Sequence, residues 1–152
     1  LNNPLVIKAP RIGFFNLMGP SADIILNQDK ESFGSLFTLV EQSGEYPPTC
    51  DLLMIYGHLE KNGRFTNCSD GLRDIIRKSN APIVIVASEN DGESYITAGK
   101  DTGYGQANLI MTIGRNGKLF TSFFSQLFER MYKGQSMLLA WVELAPQIPG
   151  QL

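Results

Sequence analysis

Two short runs, Leu52-Leu53-Met54-Ile55-Tyr56 and Ile83-Val84-Ile85-Val86-Ala87, are apolar at every position. A strand with one wet face alternates apolar and polar residues; a strand apolar throughout has to be covered on both faces. Both runs have strand length and neither approaches the ~20 residues of a membrane span. They demand a parallel sheet sandwiched between helices, and most of the remaining chain has to supply those helices. Both runs also stop abruptly in polar residues, Gly57-His58 after the first and Ser88-Glu89-Asn90-Asp91-Gly92 after the second. In open α/β sheets this carboxyl edge is where ligands bind and chemistry is done.

The rest of the chain fits an alternating order. Arg11 to Met18 reads as a first strand closed by Gly19-Pro20, and Ala22 to Leu26 as a second short strand. Phe33, Leu36, Phe37, Leu39 and Val40 recur at helical spacing, predicting a helix over 31–43 that stops at Gly44 before Pro47-Pro48. Lys61-Asn62-Gly63-Arg64 marks a turn, with Phe65 and Thr66 beginning a return. Ser69 or Asp70 is placed to cap a helix carrying Leu72, Ile75 and Ile76. Residues 92–106 are glycine-rich and polar and read as a surface loop, followed by a strand over 107–113. Leu119 to Tyr132 carries an aromatic stripe on one face, and Ser136 is placed to cap a last helix reaching Leu144. Residues 1–152 therefore read as one α/β domain, a mainly parallel sheet with helices on both faces. A start at Leu1 rather than Met suggests a fragment of a longer protein.

Charge and cysteine content narrow the partners. A net charge of −2 and a pI near 5.4 provide no broad basic surface for nucleic acid or an anionic membrane. Cys50 and Cys68 are too few for a disulfide framework, and no Cys/His spacing suggests zinc. With no visible signal segment, that usage points to a reducing, cytoplasmic setting. Gly99, Gly103 and Gly105 fit neither a dinucleotide fingerprint nor a P-loop, so no cofactor is expected.

The order of strand ends resembles the caspase–haemoglobinase fold, and within it the CHAT branch. There an apolar strand ends in Gly-His, a helix follows, and the next strand ends in a Ser-Ala-Cys-x-x-Gly-type stretch carrying the nucleophile. Gly57-His58 matches the first pattern, and Ala87-Ser88-Glu89-Asn90-Asp91-Gly92 overlays the second with Glu89 where the cysteine belongs. Residues 106–115, 119–134 and 136–147 resemble the strand and the two helices that come after it, so the similarity covers about 51–147. The resemblance implies degenerate dyad positions at His58 and Glu89. A carboxylate is a poor acyl nucleophile, and Leu59 stands where the family has a small residue. The resemblance thus implies a domain that has lost peptidase chemistry and serves as a scaffold or binding module for a protein partner or a neighbouring domain of the same chain.

Two rival readings stay open. One is an active cysteine hydrolase using Cys68 with His58, since a thiolate beside an imidazole is the nucleophile such chemistry needs. The other is a flavodoxin-like domain binding a small ligand through Ser88, Asn90 and Asp91 at the strand ends. Cys50, at the start of its strand, belongs at the opposite rim and reads as packing. Glu89 and Asp91 invite a cation site, against the plainer reading of a solvated acidic loop. The order also predicts that His58 and Glu89 share one sheet edge on adjacent strands and form an ion pair if they touch.

Overall fold

Strand β3 (Leu52–Tyr56) is buried at all five positions because it lies in the middle of a five-stranded, all-parallel sheet of order β2-β1-β3-β4-β5. The computed structural model describes residues 10–100, 107–115 and 118–144. Around β3 stand β1 (Arg11–Asn16), β2 (Leu39–Ser43), β4 (Ile83–Val86) and β5 (Asn108–Met111). The helices are α1 (Asp23–Phe33), α2 (Leu72–Ser79), α3 (Gly92–Lys100), α4 (Leu119–Tyr132) and α5 (Met137–Leu144).

The two-residue period of the strands sorts the core into two layers. Ile12, Phe14, Leu52, Met54, Tyr56 and Ile85 face α1, α4 and α5, where Leu26, Phe33, Phe123, Phe124 and Leu127 close over them. Phe15, Leu53, Ile55, Val84 and Val86 face α2 and α3, meeting Leu72, Ile75, Ile76, Tyr95 and Ala98. The apolar runs are thus covered on both sides, and the expected α/β architecture is present. Helix α4 covers the span predicted for it, and Trp141 of α5 packs edge-on to Phe123 with ring centres 4.8 Å apart.

Three stretches depart from the expected order. Ala22 to Leu26 is not a strand: Asp23–Phe33 is helical, with Leu26, Asp29 and Phe33 turned inward. The helix expected over 31–43 ends at Phe33, and Leu39–Ser43 instead pairs with β1 as an edge strand. Helical spacing and a short edge strand look alike there, and the free edge of β1 decided the outcome through its hydrogen bonds. The loop expected over 92–106 begins as helix α3, because Tyr95 and Ala98, with Ser94, supply an inward face; Gly103 and Gly105 lie outside the described residues. The cap of α2 also differs. Gly71 is the N-cap residue, while Asp70 pairs with Lys78 at 2.6 Å.

The connection from β2 to β3 crosses β1 without a helix. A Cβ on Gly13 would stand 2.7 Å from Pro48 Cγ and 2.8 Å from Cys50 Sγ, so glycine lets this bare crossing lie flat on the sheet.

Candidate functional site

The carboxyl ends of β3, β4 and β5 meet at one rim, and most of their polar residues hold the rim together. Beyond Tyr56 the chain continues as Gly57, whose Cβ, if it had one, would stand 2.5 Å from Phe65 Cδ1. Phe65 reaches that position because the turn after Leu59 folds back, with Leu59 and Phe65 bridged antiparallel, in line with the return expected there. The glycine of the Gly-His pair therefore has a packing reason of its own.

Ser88 and Asn90 fasten Gly57 from the next strand. The Ser88 hydroxyl accepts from Gly57 N–H at 2.9 Å and donates to the Gly57 carbonyl at 2.8 Å. Asn90 Nδ2 donates to the same carbonyl at 3.0 Å, and Asn90 Oδ1 accepts from Leu59 N–H at 2.7 Å. Tyr95 in α3 completes the latch by donating to the Thr112 carbonyl at 2.7 Å, with the Ser88 carbonyl 3.2 Å from the same hydroxyl sharing that one proton. Burial raises the Tyr95 phenol to about 12 despite its bonds to Asn90 and Thr112. Ser88 is buried and is not among the cavity-lining residues, while Asn90, also largely buried, lines the rim cavity as well as splicing the strand ends. Asp91 is exposed.

His58 and Glu89 do share this edge, on adjacent strands, and both line an open cavity of about 590 Å³. Glu60, Lys61, Asp91 and Ile113 line it with them. The expected ion pair is absent. Glu89 Oε2 accepts the backbone N–H of Arg115 at 2.5 Å, and among the described residues the His58 imidazole has no hydrogen-bond partner. No group of three or more His, Cys, Asp or Glu poised to hold a metal occurs among the described residues.

Neither cysteine reaches the cavity. Cys68 is half-buried against the core layer under α2, and it is not among the cavity-lining residues. Cys50 is buried at the start of β3, at the opposite rim as expected. Desolvation, reinforced by Asp51, pushes its thiol from 9.0 up to about 12.

Beneath the rim lies a charged network that no sequence motif announces. Asp29 of α1 is fully buried, and Arg115 grips it with two bonds of 2.7 and 2.9 Å. Tyr56 donates to Asp29 at 2.6 Å, and Arg115 also donates to the Ala87 carbonyl at 3.0 Å. The guanidinium lies 3.8 Å from the centre of the Phe120 ring. Burial, with the neighbouring carboxylate, raises the Tyr56 phenol well above its ordinary value. Asp29 sits among the apolar positions of a helix, a signal that becomes readable only once 23–33 is recognised as helical.

The chain matches no family model, no curated protein and no solved structure. No helix among the described residues is long and apolar enough to cross a membrane.

Proposed function

We propose that this is a CHAT-like, caspase-type domain without cysteine-hydrolase chemistry, acting as a binding module for a protein partner or a neighbouring domain of its own chain. One observation carries the reading. At the strand end beside His58, where a nucleophile would stand, Glu89 presents a carboxylate already engaged by the backbone of Arg115. A dyad needs a thiol within hydrogen-bond reach of the imidazole and donors for a developing oxyanion. Here the backbone N–H of Arg115 is occupied by the Glu89 side chain.

The rivals fare less well on the same geometry. Cys68 packs against apolar side chains and is not among the residues lining the cavity that His58 lines, which weighs against a Cys68–His58 dyad. The strand order is that of flavodoxin-like folds, in which ligands bind where β1 and β3 diverge. The rim cavity draws no residue from the loop after β1; it sits over the ends of β3, β4 and β5. Exposed His58, Glu60, Glu89 and Asp91 then form a rim suited to contact with a macromolecular surface.

The test combines peptide pools with an electrophilic thiol probe at neutral pH. The expected result is no turnover and slow labelling of Cys68 that is indifferent to His58→Ala. Turnover lost in both Cys68→Ala and His58→Ala would overturn the proposal. In Glu89→Cys, fast labelling that depends on His58 is the expected mark of a lost dyad geometry.

A further inference from the structure

The cavity at the His58 rim holds one polar group that the fold leaves unused. Ser94, in the first turn of α3, is 1% exposed and lines the cavity. Its hydroxyl has no hydrogen-bond partner among the described residues, where no fully buried side-chain nitrogen or oxygen lacks one. The sliver of surface that Ser94 shows is therefore its hydroxyl, facing the cavity. A hydroxyl this dry and unpaired costs stability, and a native structure keeps such groups for a reason. Around it stand Glu60, Glu89 and Asp91. Glu60 Oε2 accepts from the Thr66 hydroxyl and Glu89 Oε2 from the Arg115 N–H. Oε1 of each, and both carboxylate oxygens of Asp91, accept nothing among the described residues. Lys61 lines the cavity too, and it is ion-paired with none of the three.

We infer that this cavity takes an arginine side chain of the protein partner bound at the rim. The sign of the occupant follows from the wall, which sets three carboxylates against one ammonium. The amino end of α3, which contributes Ser94, adds about half a positive charge, too little to reverse that excess. An anion is therefore repelled and a cation held. The polar partners then choose between cations. A guanidinium offers five N–H donors in one plane, enough for several free carboxylate oxygens and the Ser94 hydroxyl together; an ammonium offers three. The apolar part of the wall, Leu59 and the exposed Ile113, suits the methylene stem of a long basic side chain. The inference rests on the reading of this rim as a protein-binding surface and supplies the chemistry of the partner.

Titration of the isotope-labelled chain with the blocked peptide acetyl-Gly-Arg-Gly-amide, followed through the backbone amide spectrum, tests it. Saturable shifts are expected in the amides of residues 89–94. The lysine peptide should bind more weakly, and the citrulline peptide, which keeps the shape and loses the charge, should not bind. Glu60→Gln and Asp91→Asn stand at exposed positions, and Ser94→Ala removes only a hydroxyl, so each keeps the fold. Each is expected to weaken arginine binding about three- to tenfold. Glu31→Gln, exposed on α1 and outside the cavity, should leave it unchanged. No saturable shift with the arginine peptide overturns the inference, as does equal binding of the citrulline peptide or indifference to all three cavity variants. Inorganic phosphate moving the same amides in place of arginine overturns it in favour of the helix end, and agmatine binding more tightly than the peptide overturns it in favour of a small amine. Cleavage of the arginine peptide would refute the loss of hydrolase chemistry while leaving the arginine assignment standing, so the two readings fail separately.

Discussion

Arg115, just past the end of β5, holds both carboxylate oxygens of Asp29 in the middle of α1, although Asp29 has no solvent exposure. That pair links the last sheet strand to the first helix across the end of β3, and through the Arg115 backbone it also fixes Glu89. Removing one partner leaves the other charge buried alone. Arg115→Met is expected to destabilise the fold by about 3–5 kcal/mol, whereas replacing both Asp29 and Arg115 with apolar residues of similar volume costs much less. Urea denaturation of the single and double variants measures the difference; a mild single variant would show that water reaches Asp29.

The Ser88–Asn90 latch is expected to matter for stability more than for binding. Asn90→Ala leaves Leu59 N–H and one acceptor site of the Gly57 carbonyl unpaired in a buried place, a loss of roughly 1–3 kcal/mol. Asn90→Asp keeps the acceptor for Leu59 N–H, and only its protonated form can still donate to the Gly57 carbonyl. Burial raises the folded-state pKa of such a carboxyl, so this variant should be near wild type in acid and lose stability as pH rises from about 4 towards 8. Thermal unfolding across that range reads it out, and a flat profile would show that the position is wetter than its burial implies.

Gly57→Ala places a methyl against the Phe65 ring. Overpacking of this kind costs about 1–3 kcal/mol. Phe65→Leu should relieve the clash, so the double variant is expected to be more stable than the sum of the two single losses. Strict additivity would mean the loop carrying Phe65 moves aside without cost.

Alkaline conditions should weaken the fold in a defined window. Folding raises Cys50 from 9.0 to about 12, Tyr95 from 10.0 to about 12, and Tyr56 in the same direction. These groups stay protonated in the folded chain while the unfolded chain releases its protons. Their stabilising contribution is therefore complete below the unfolded values and is lost as pH rises from about 9 towards 12. In Cys50→Ala the decline should begin nearer 10, the ordinary tyrosine value. Denaturation midpoints across that window test it, and thiol labelling should find Cys68 accessible while Cys50 reacts only on unfolding.

Local pattern was enough to establish that β3 and β4 are covered on both faces, because no other environment accepts an apolar residue at every position of a strand. It was enough for α4 as well, whose aromatic stripe runs for fourteen residues, long enough for one period to dominate. The adjacency of His58 and Glu89 came from two strand ends separated by one crossover helix. Other features arose only in the folded chain. Leu39–Ser43 became a strand because the edge of β1 offered hydrogen bonds to it, a fact of neighbours rather than of local spacing. Glu89 turned to the Arg115 backbone instead of His58, and Asp29 met Arg115, eighty-six positions along the chain. Ser88 went inside, and Asn90 at the cavity wall joined it, because the converging strand ends left Gly57 with backbone groups that these two side chains satisfy. Periodicity reports which face of an element is buried; which polar group finds which partner is settled only when distant strand ends converge.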